Sequence, residues 1–137
     1  MRDLSLFGYA EFCLWEALKD TLDHQYILYT CRMGCEDGIV DYGICLWDMR
    51  EPTGFFASTL PIVGFDTDRE AFIGPYRHEG TPLAVERGTC GNSLAVGGNP
   101  CGALQADFKL VPGETKRAIF ILGVGDAAVD GQAARER

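Results

Sequence analysis

Apolar and polar residues alternate along much of the chain, with a period of two. From Ser5 to Leu14, residues Leu6, Gly8, Ala10, Phe12 and Leu14 fall on one side, and Phe7, Tyr9, Glu11 and Cys13 on the other. That period predicts a strand; a helix is the alternative, because the far side is also apolar. Trp15 to Asp23 is more polar and suits one loose helical turn. Gln25 to Met33 is rich in Tyr, Ile, Thr and Cys, which fit a pleated surface. Glu36-Asp37-Gly38 is a turn signal before a second run, Ile39 to Trp47, and the pair reads as a β-hairpin. Gly54 to Thr59 is another short strand.

Further on, Asp66 or Thr67 is placed to cap a short helix through Ala71 and Phe72, with Glu70 where a capping box wants it and Gly74-Pro75 as its end. A helical turn fits Pro82 to Arg87 within an otherwise irregular stretch. Ala103 to Leu110 alternates cleanly, with Leu104, Ala106, Phe108 and Leu110 inward and Gln105, Asp107 and Lys109 outward. Pro112-Gly113-Glu114 is a turn, and Arg117 to Leu122 reads as the return strand of a hairpin, apolar enough for burial on both faces. The expected fold is mostly β, an antiparallel β-sandwich with short helical turns, spanning residues 1–125. Residues 126–137 read as a linker or the start of a helix with nothing left to pack on.

Composition narrows the function classes. The chain has 137 residues, 47% of them hydrophobic, enough for one domain with a real core. Seventeen glycines and six prolines agree with many turns. A formal charge of −8 argues against nucleic-acid partners, which require a basic footprint, and against anionic membrane surfaces. A neutral ligand such as a sugar meets no such conflict. No apolar run approaches the roughly 20 residues that span a bilayer, and the first residues do not form a signal peptide. The expected compartment is the cytoplasm, with the six cysteines reduced.

Candidate chemistry concentrates in Gly64 to Gly80, GFDTDREAFIGPYRHEG. Asp66, Asp68 and Glu70 alternate as in a calcium loop, but Ala71 and Arg77 stand where an EF-hand needs Gly and Glu, so capping is the simpler reading. Arg77, His78 and Glu79 put a cation, a titratable ring and a carboxylate on a loop, and Arg77 and His78 are candidate ligand or partner contacts. Gly97-Gly98-Asn99-Pro100 could form an anion nest, although a plain turn explains it as well. Cys31 and Cys35 would share a strand face, the arrangement of a metal pair or of two small buried hydrophobes. No Cys-x-x-Cys occurs, and no metal site or cofactor is expected.

Three runs together carry a resemblance. Glu11-Phe12-Cys13-Leu14-Trp15, the long Gly64 to Arg77 segment, and Gly97 to Gln105 resemble the N-terminal domain of the cellobiose and cellodextrin phosphorylases, glycoside hydrolase family 94. Gln25 to Asp41 looks closer to the cellodextrin type. The resemblance implies part of a β-supersandwich belonging to an enzyme that cleaves a β-glucosidic bond with inorganic phosphate, inverting the anomeric centre to give α-glucose 1-phosphate. Phosphate attacks directly, so one protein acid suffices. In the family that acid lies in a C-terminal α/α-barrel domain, which this chain would lack. The implied role here is non-catalytic: scaffold, homodimer contacts and shaping of a β-glucan oligosaccharide subsite. Gln25 matches the Gln of a family Gln-Arg pair that reaches the sugar; Tyr26 stands at the Arg position and implies a different acceptor subsite. The resemblance also implies a fragment of a longer enzyme. A stand-alone carbohydrate-binding β module is the alternative, and a metal- or thiol-dependent module using Cys31 and Cys35 a third reading.

Overall fold

The computed structural model describes residues 2–12, 30–45, 53–96 and 98–137. Two antiparallel sheets form the scaffold, as the alternation predicts. Strand β1 (Arg2–Glu11), β5 (Gly64–Asp68) and β6 (Pro100–Leu110) make a three-stranded sheet in the order β1-β6-β5. Strands β2 (Thr30–Glu36), β3 (Ile39–Cys45), β4 (Thr53–Ser58) and β7 (Phe120–Val124) make a four-stranded sheet in that order. Between β5 and β6 lie two five-residue helices, α1 (Arg69–Ile73) and α2 (Leu83–Arg87). After β7 a wide helical turn, Ala127–Gly131, runs into α3 (Gln132–Arg135).

The β2–β3 hairpin forms as Asp37-Gly38 demands. Glu36 pairs with Ile39, and both turn residues are left-handed, Asp37 at φ 50° and Gly38 at φ 74°. A two-residue turn of this hand matches the twist of its strands, and Gly at its second place avoids the steric cost. β1 starts earlier than its alternation suggests, because it pairs with β6 continuously from Arg2↔Leu110 to Glu11↔Cys101. The helical turn expected at Trp15 to Asp23 and the first part of the Gln25 to Met33 run lie outside the described residues.

Apolar clusters fill three spaces. Between the sheets, Met33, Val40, Tyr42 and Phe56 meet Phe12 and Leu104, with Phe12 and Tyr42 stacked at 4.6 Å. Behind the three-stranded sheet, Phe72, Ile73 and Ala84 of the helices cover Cys101 and Ala103, with Phe7 and Tyr9 packed alongside. Behind the four-stranded sheet, Ile39, Phe55 and Ala57 receive Ile121, Ala127 and Ala134. A fully buried side chain such as Phe72 contributes about 1.5–3 kcal/mol by burial. The tail therefore does pack: Gly131 is buried, and a Cβ there would come within 3.1 Å of Ile39.

Three strand expectations need correction. The turn at Pro112-Gly113 exists, but the strand after it does not return on β6. β1 and β5 already occupy both edges of β6, so the chain crosses to the other sheet and β7 pairs with β4, from Gly54↔Val124 to Ser58↔Phe120. Nor is β7 buried on both faces: as an edge strand it leaves Leu122 55% and Val124 73% exposed. Gln105, expected outward, is buried, because β6 is the centre of its sheet and is covered on both faces. Its amide is satisfied there: Oε1 accepts from the Cys90 N–H at 2.8 Å, and Nε2 donates to the Gly88 carbonyl and to Asp107.

Candidate functional site

The segment from Gly64 to Gly80 runs out of the sheet, through α1, and into an exposed loop. Its first acids are structural. Asp66 and Thr67, expected to cap the helix, lie in β5 with no exposed surface. Asp66 Oδ1 accepts from the Ser93 N–H at 2.9 Å and Oδ2 from the Gly91 N–H at 3.0 Å. The Thr67 hydroxyl accepts from the Ala95 N–H at 2.8 Å and donates to the Ser93 carbonyl. Both residues thus hold the 91–95 loop against β5. The helix cap is Asp68, two residues later, whose Oδ1 accepts from the Glu70 N–H at 2.9 Å. The shift follows from β5, whose pairing with β6 keeps the chain extended as far as Asp68↔Pro100. Gly74 ends α1 as expected, at φ 92° and donating its N–H to the Glu70 carbonyl.

Arg69, the first residue of α1, is the centre of the polar arrangement. Its Nε donates to Glu11 Oε1 at 2.9 Å, and its Nη2 donates to Glu79. The Tyr9 hydroxyl donates to the same Glu11 oxygen at 2.5 Å, while its ring stacks on Phe72 at 5.3 Å. Burial first, and the bond to Glu11 second, push the Tyr9 phenol far above its ordinary range. The Glu11 bond likewise holds Arg69 firmly charged. Glu79 is held below the ordinary carboxylate range by its own backbone N–H and then by Arg69. Sequence reasoning missed this linkage. The available signal was an Arg at the first helical position between acids, but its partner Glu11 is 58 residues away.

Arg77 and His78 are both found on the exposed loop, but they do not converge on each other. Arg77 Nη1 donates to Glu86 of α2 and to the Thr81 carbonyl. His78 Nδ1 accepts from the Gly80 N–H at 3.0 Å. Just before them in sequence, Tyr76 is fully exposed and has φ 60°. Beside the loop, Phe7, Tyr9, Phe72, Ile73, Glu79, Gly80, Pro82 and Val85 line a recess of about 290 Å³. Gln25 and Tyr26 lie outside the described residues, as does Gly97; Gly98 and Asn99 form a bend before β6.

A larger groove of about 640 Å³ runs between the β2–β3 hairpin and the tail, with Arg32, Cys35, Asp41 and Asp126 on its walls. Burial raises the Asp41 pKa there, against the opposing pull of Arg32 at 3.9 Å. Burial also pushes the Cys35 thiol up to about 11. Cys31 is buried in the inter-sheet core, and Cys35 packs half-buried against it. Among the described residues, no three His, Cys, Asp or Glu side chains converge as metal ligands.

Comparison with known proteins agrees with this architecture. A family model described as glycosyl hydrolase 94, supersandwich domain, matches residues 1–137. The N,N'-diacetylchitobiose phosphorylase of Vibrio furnissii is 38% identical over 126 residues, covering 90% of this chain and 16% of that protein. The enzyme of the same name from Vibrio proteolyticus is 37% identical over 127 residues, with 91% and 16% covered. The solabiose phosphorylase of Paenibacillus borealis is 29% identical over 126 residues, again with 91% and 16% covered. The chain thus spans about 16% of the length of these relatives. Family match, two antiparallel sheets and shared identity over nine-tenths of the sequence lead to one conclusion: this chain belongs to the supersandwich-domain family of glycosyl hydrolase 94.

Proposed function

We propose that the chain is the non-catalytic β-sandwich part of an inverting disaccharide phosphorylase. In the whole enzyme an oxygen of inorganic phosphate attacks the anomeric carbon, the glycosidic C–O bond breaks, and an acid elsewhere protonates the leaving oxygen. The observation that carries the non-catalytic reading is the use made of the acids in the 64–80 segment. Asp66 is bound to two backbone N–H groups, Asp68 caps α1, and Glu79 is tied to Arg69. Acids whose oxygens are engaged in this way brace a loop and do not face a leaving group.

The sequence reading points to cellobiose or cellodextrins, whereas the two Vibrio relatives carry the name of diacetylchitobiose. We place an N-acetylglucosamine disaccharide first among the substrates and the β-glucans second. Homodimer contacts, a cytosolic setting, a sugar contact through Gln25 and Tyr26, and residues 126–137 as the lead into the next domain belong to the same proposal. Among the described residues, no helix is long and apolar enough to cross a membrane.

The test is sugar 1-phosphate release from diacetylchitobiose, cellobiose and cellotriose with inorganic phosphate. The isolated chain should release none above buffer, and the longer enzyme that carries it should release most from diacetylchitobiose. Turnover by the isolated chain would end the non-catalytic reading. Calorimetric titration with the same sugars examines the alternative, since micromolar binding by the isolated chain would make it a carbohydrate-binding module in its own right.

A further inference from the structure

Residues 75–81, between the two helices, form a compact strap. The Arg77 N–H donates to the Gly74 carbonyl at 3.3 Å, the Thr81 N–H to the His78 carbonyl at 2.9 Å, and the Gly80 N–H to His78 Nδ1. Arg77 ties the strap onward to Glu86 and the Thr81 carbonyl. These bonds lie within the strap or reach its two ends, Gly74 after α1 and Glu86 in α2. All seven residues from Pro75 to Thr81 are exposed, except half-buried Arg77. Among the described residues, the strap makes one polar tie to the strand side of the recess, from Glu79 to Arg69. Arg69 in turn is anchored on Glu11 at the end of β1.

A body that is braced internally and at its two ends, and tied to the strand side at one point, moves as a unit when that tie opens. The recess supplies the space for that movement. Phe7 and Tyr9 of β1 and Phe72 and Ile73 of α1 line it together with Glu79 and Gly80 of the strap and Pro82 and Val85 at α2. Gly74, at φ 92°, is the hinge at the α1 end; few other residues tolerate that backbone conformation. Pro82 begins α2 at the other end.

We propose that residues 75–81 are a hinged strap, latched by Arg69–Glu79, whose opening uncovers the aromatic wall formed by Tyr9 and Phe72. The latch is an ion pair with both partners partly exposed, at 32% and 55% of side-chain area, so its strength is modest and salt-sensitive. An element of this kind belongs to the low-stability end of a fold, where parts that move are found.

Backbone ¹⁵N relaxation of the labelled chain tests the proposal. Glu79→Gln should raise the open population of the strap about three- to fivefold, seen as one shared exchange process at residues 76–81. High salt should do the same to the unaltered chain and add little to Glu79→Gln. Arg77→Gln, which cuts the internal brace, should instead split the shared process into separate local motions. Strap amides unmoved by both Glu79→Gln and salt, or a rise spread equally over β1 and β6, would overturn it.

Discussion

Replacing Asp66 separates a structural acid from a chemical one. Its carboxylate is wholly buried and accepts two backbone N–H bonds, from Gly91 and Ser93, at 3.0 and 2.9 Å. It also faces the Cys90 thiol, which burial first and Asp66 second push up to about 12. Hydrogen bonds to a charged group are worth about 1.5–3 kcal/mol each. Asp66→Ala removes two of them and leaves both donors without a partner, partly offset by no longer burying a charge. The expected loss is about 3 kcal/mol. With about 2.1 cal/mol/K of unfolding entropy per residue over 137 residues, that lowers Tm by about 10 °C. Asp66→Asn keeps one acceptor but turns an NH₂ group toward an N–H, so it should fall between Ala and the unaltered chain. Scanning calorimetry reads both variants. A drop of less than about 3 °C for Asp66→Ala would refute the brace. In the longer enzyme, turnover lost by Asp66→Asn with Tm retained would restore a chemical role for this acid.

Two further outcomes follow from the same geometry. The Cys35 and Cys90 thiols are raised from an ordinary 9.0 to about 11 and about 12, chiefly by burial. A raised folded-state pKa means that the associated stability is whole below pH 9 and is lost as pH rises through 11 to 12; Tm should therefore fall steeply over that window, and Cys90→Ser should flatten the fall, whereas an unchanged slope would contradict it. Among the described residues, β7 pairs on one edge alone and is uncharged, with Leu122 and Val124 exposed, a template for pairing with another strand. Leu122→Lys should shift sedimentation of the chain toward monomer with Tm changed by less than about 2 °C, and an unaltered chain that stays monomeric at high concentration would show the edge to be harmless.

Elements whose geometry is set by neighbours in sequence were legible in the chain. The Asp37-Gly38 turn, the stop at Gly74 and the helical turn from Pro82 to Arg87 each depend on backbone angles that a few residue types supply. The β6–β7 hairpin was not legible, although its alternation and its Pro-Gly turn were the clearest in the sequence. A turn can reverse the chain, but it cannot make an edge available. β6 has both edges taken by β1 and β5, and those pairings join residues roughly 30 to 110 positions apart. Local pattern records which way side chains point. It does not record which strand arrived first at an edge.

The candidate site shows the same limit in its charges. Asp68 and Glu70 could be assigned to a helix start from sequence, because a cap acts over two or three residues. The local pattern nevertheless points one or two residues early, to Asp66 or Thr67, because β5 persists through its pairing with β6, and that pairing has no local signature. Once Asp66 and Thr67 are inside, their oxygens need donors, and the 91–95 loop supplies them. Among the described residues, no buried side-chain nitrogen or oxygen is left without a partner. Arg69, at the start of α1, then pairs with Glu11 and Glu79. The β5–β6 pairing thus decides that Asp66 is buried as a brace and that α1 starts only at Arg69, and neither outcome is written in the residues next to them in sequence.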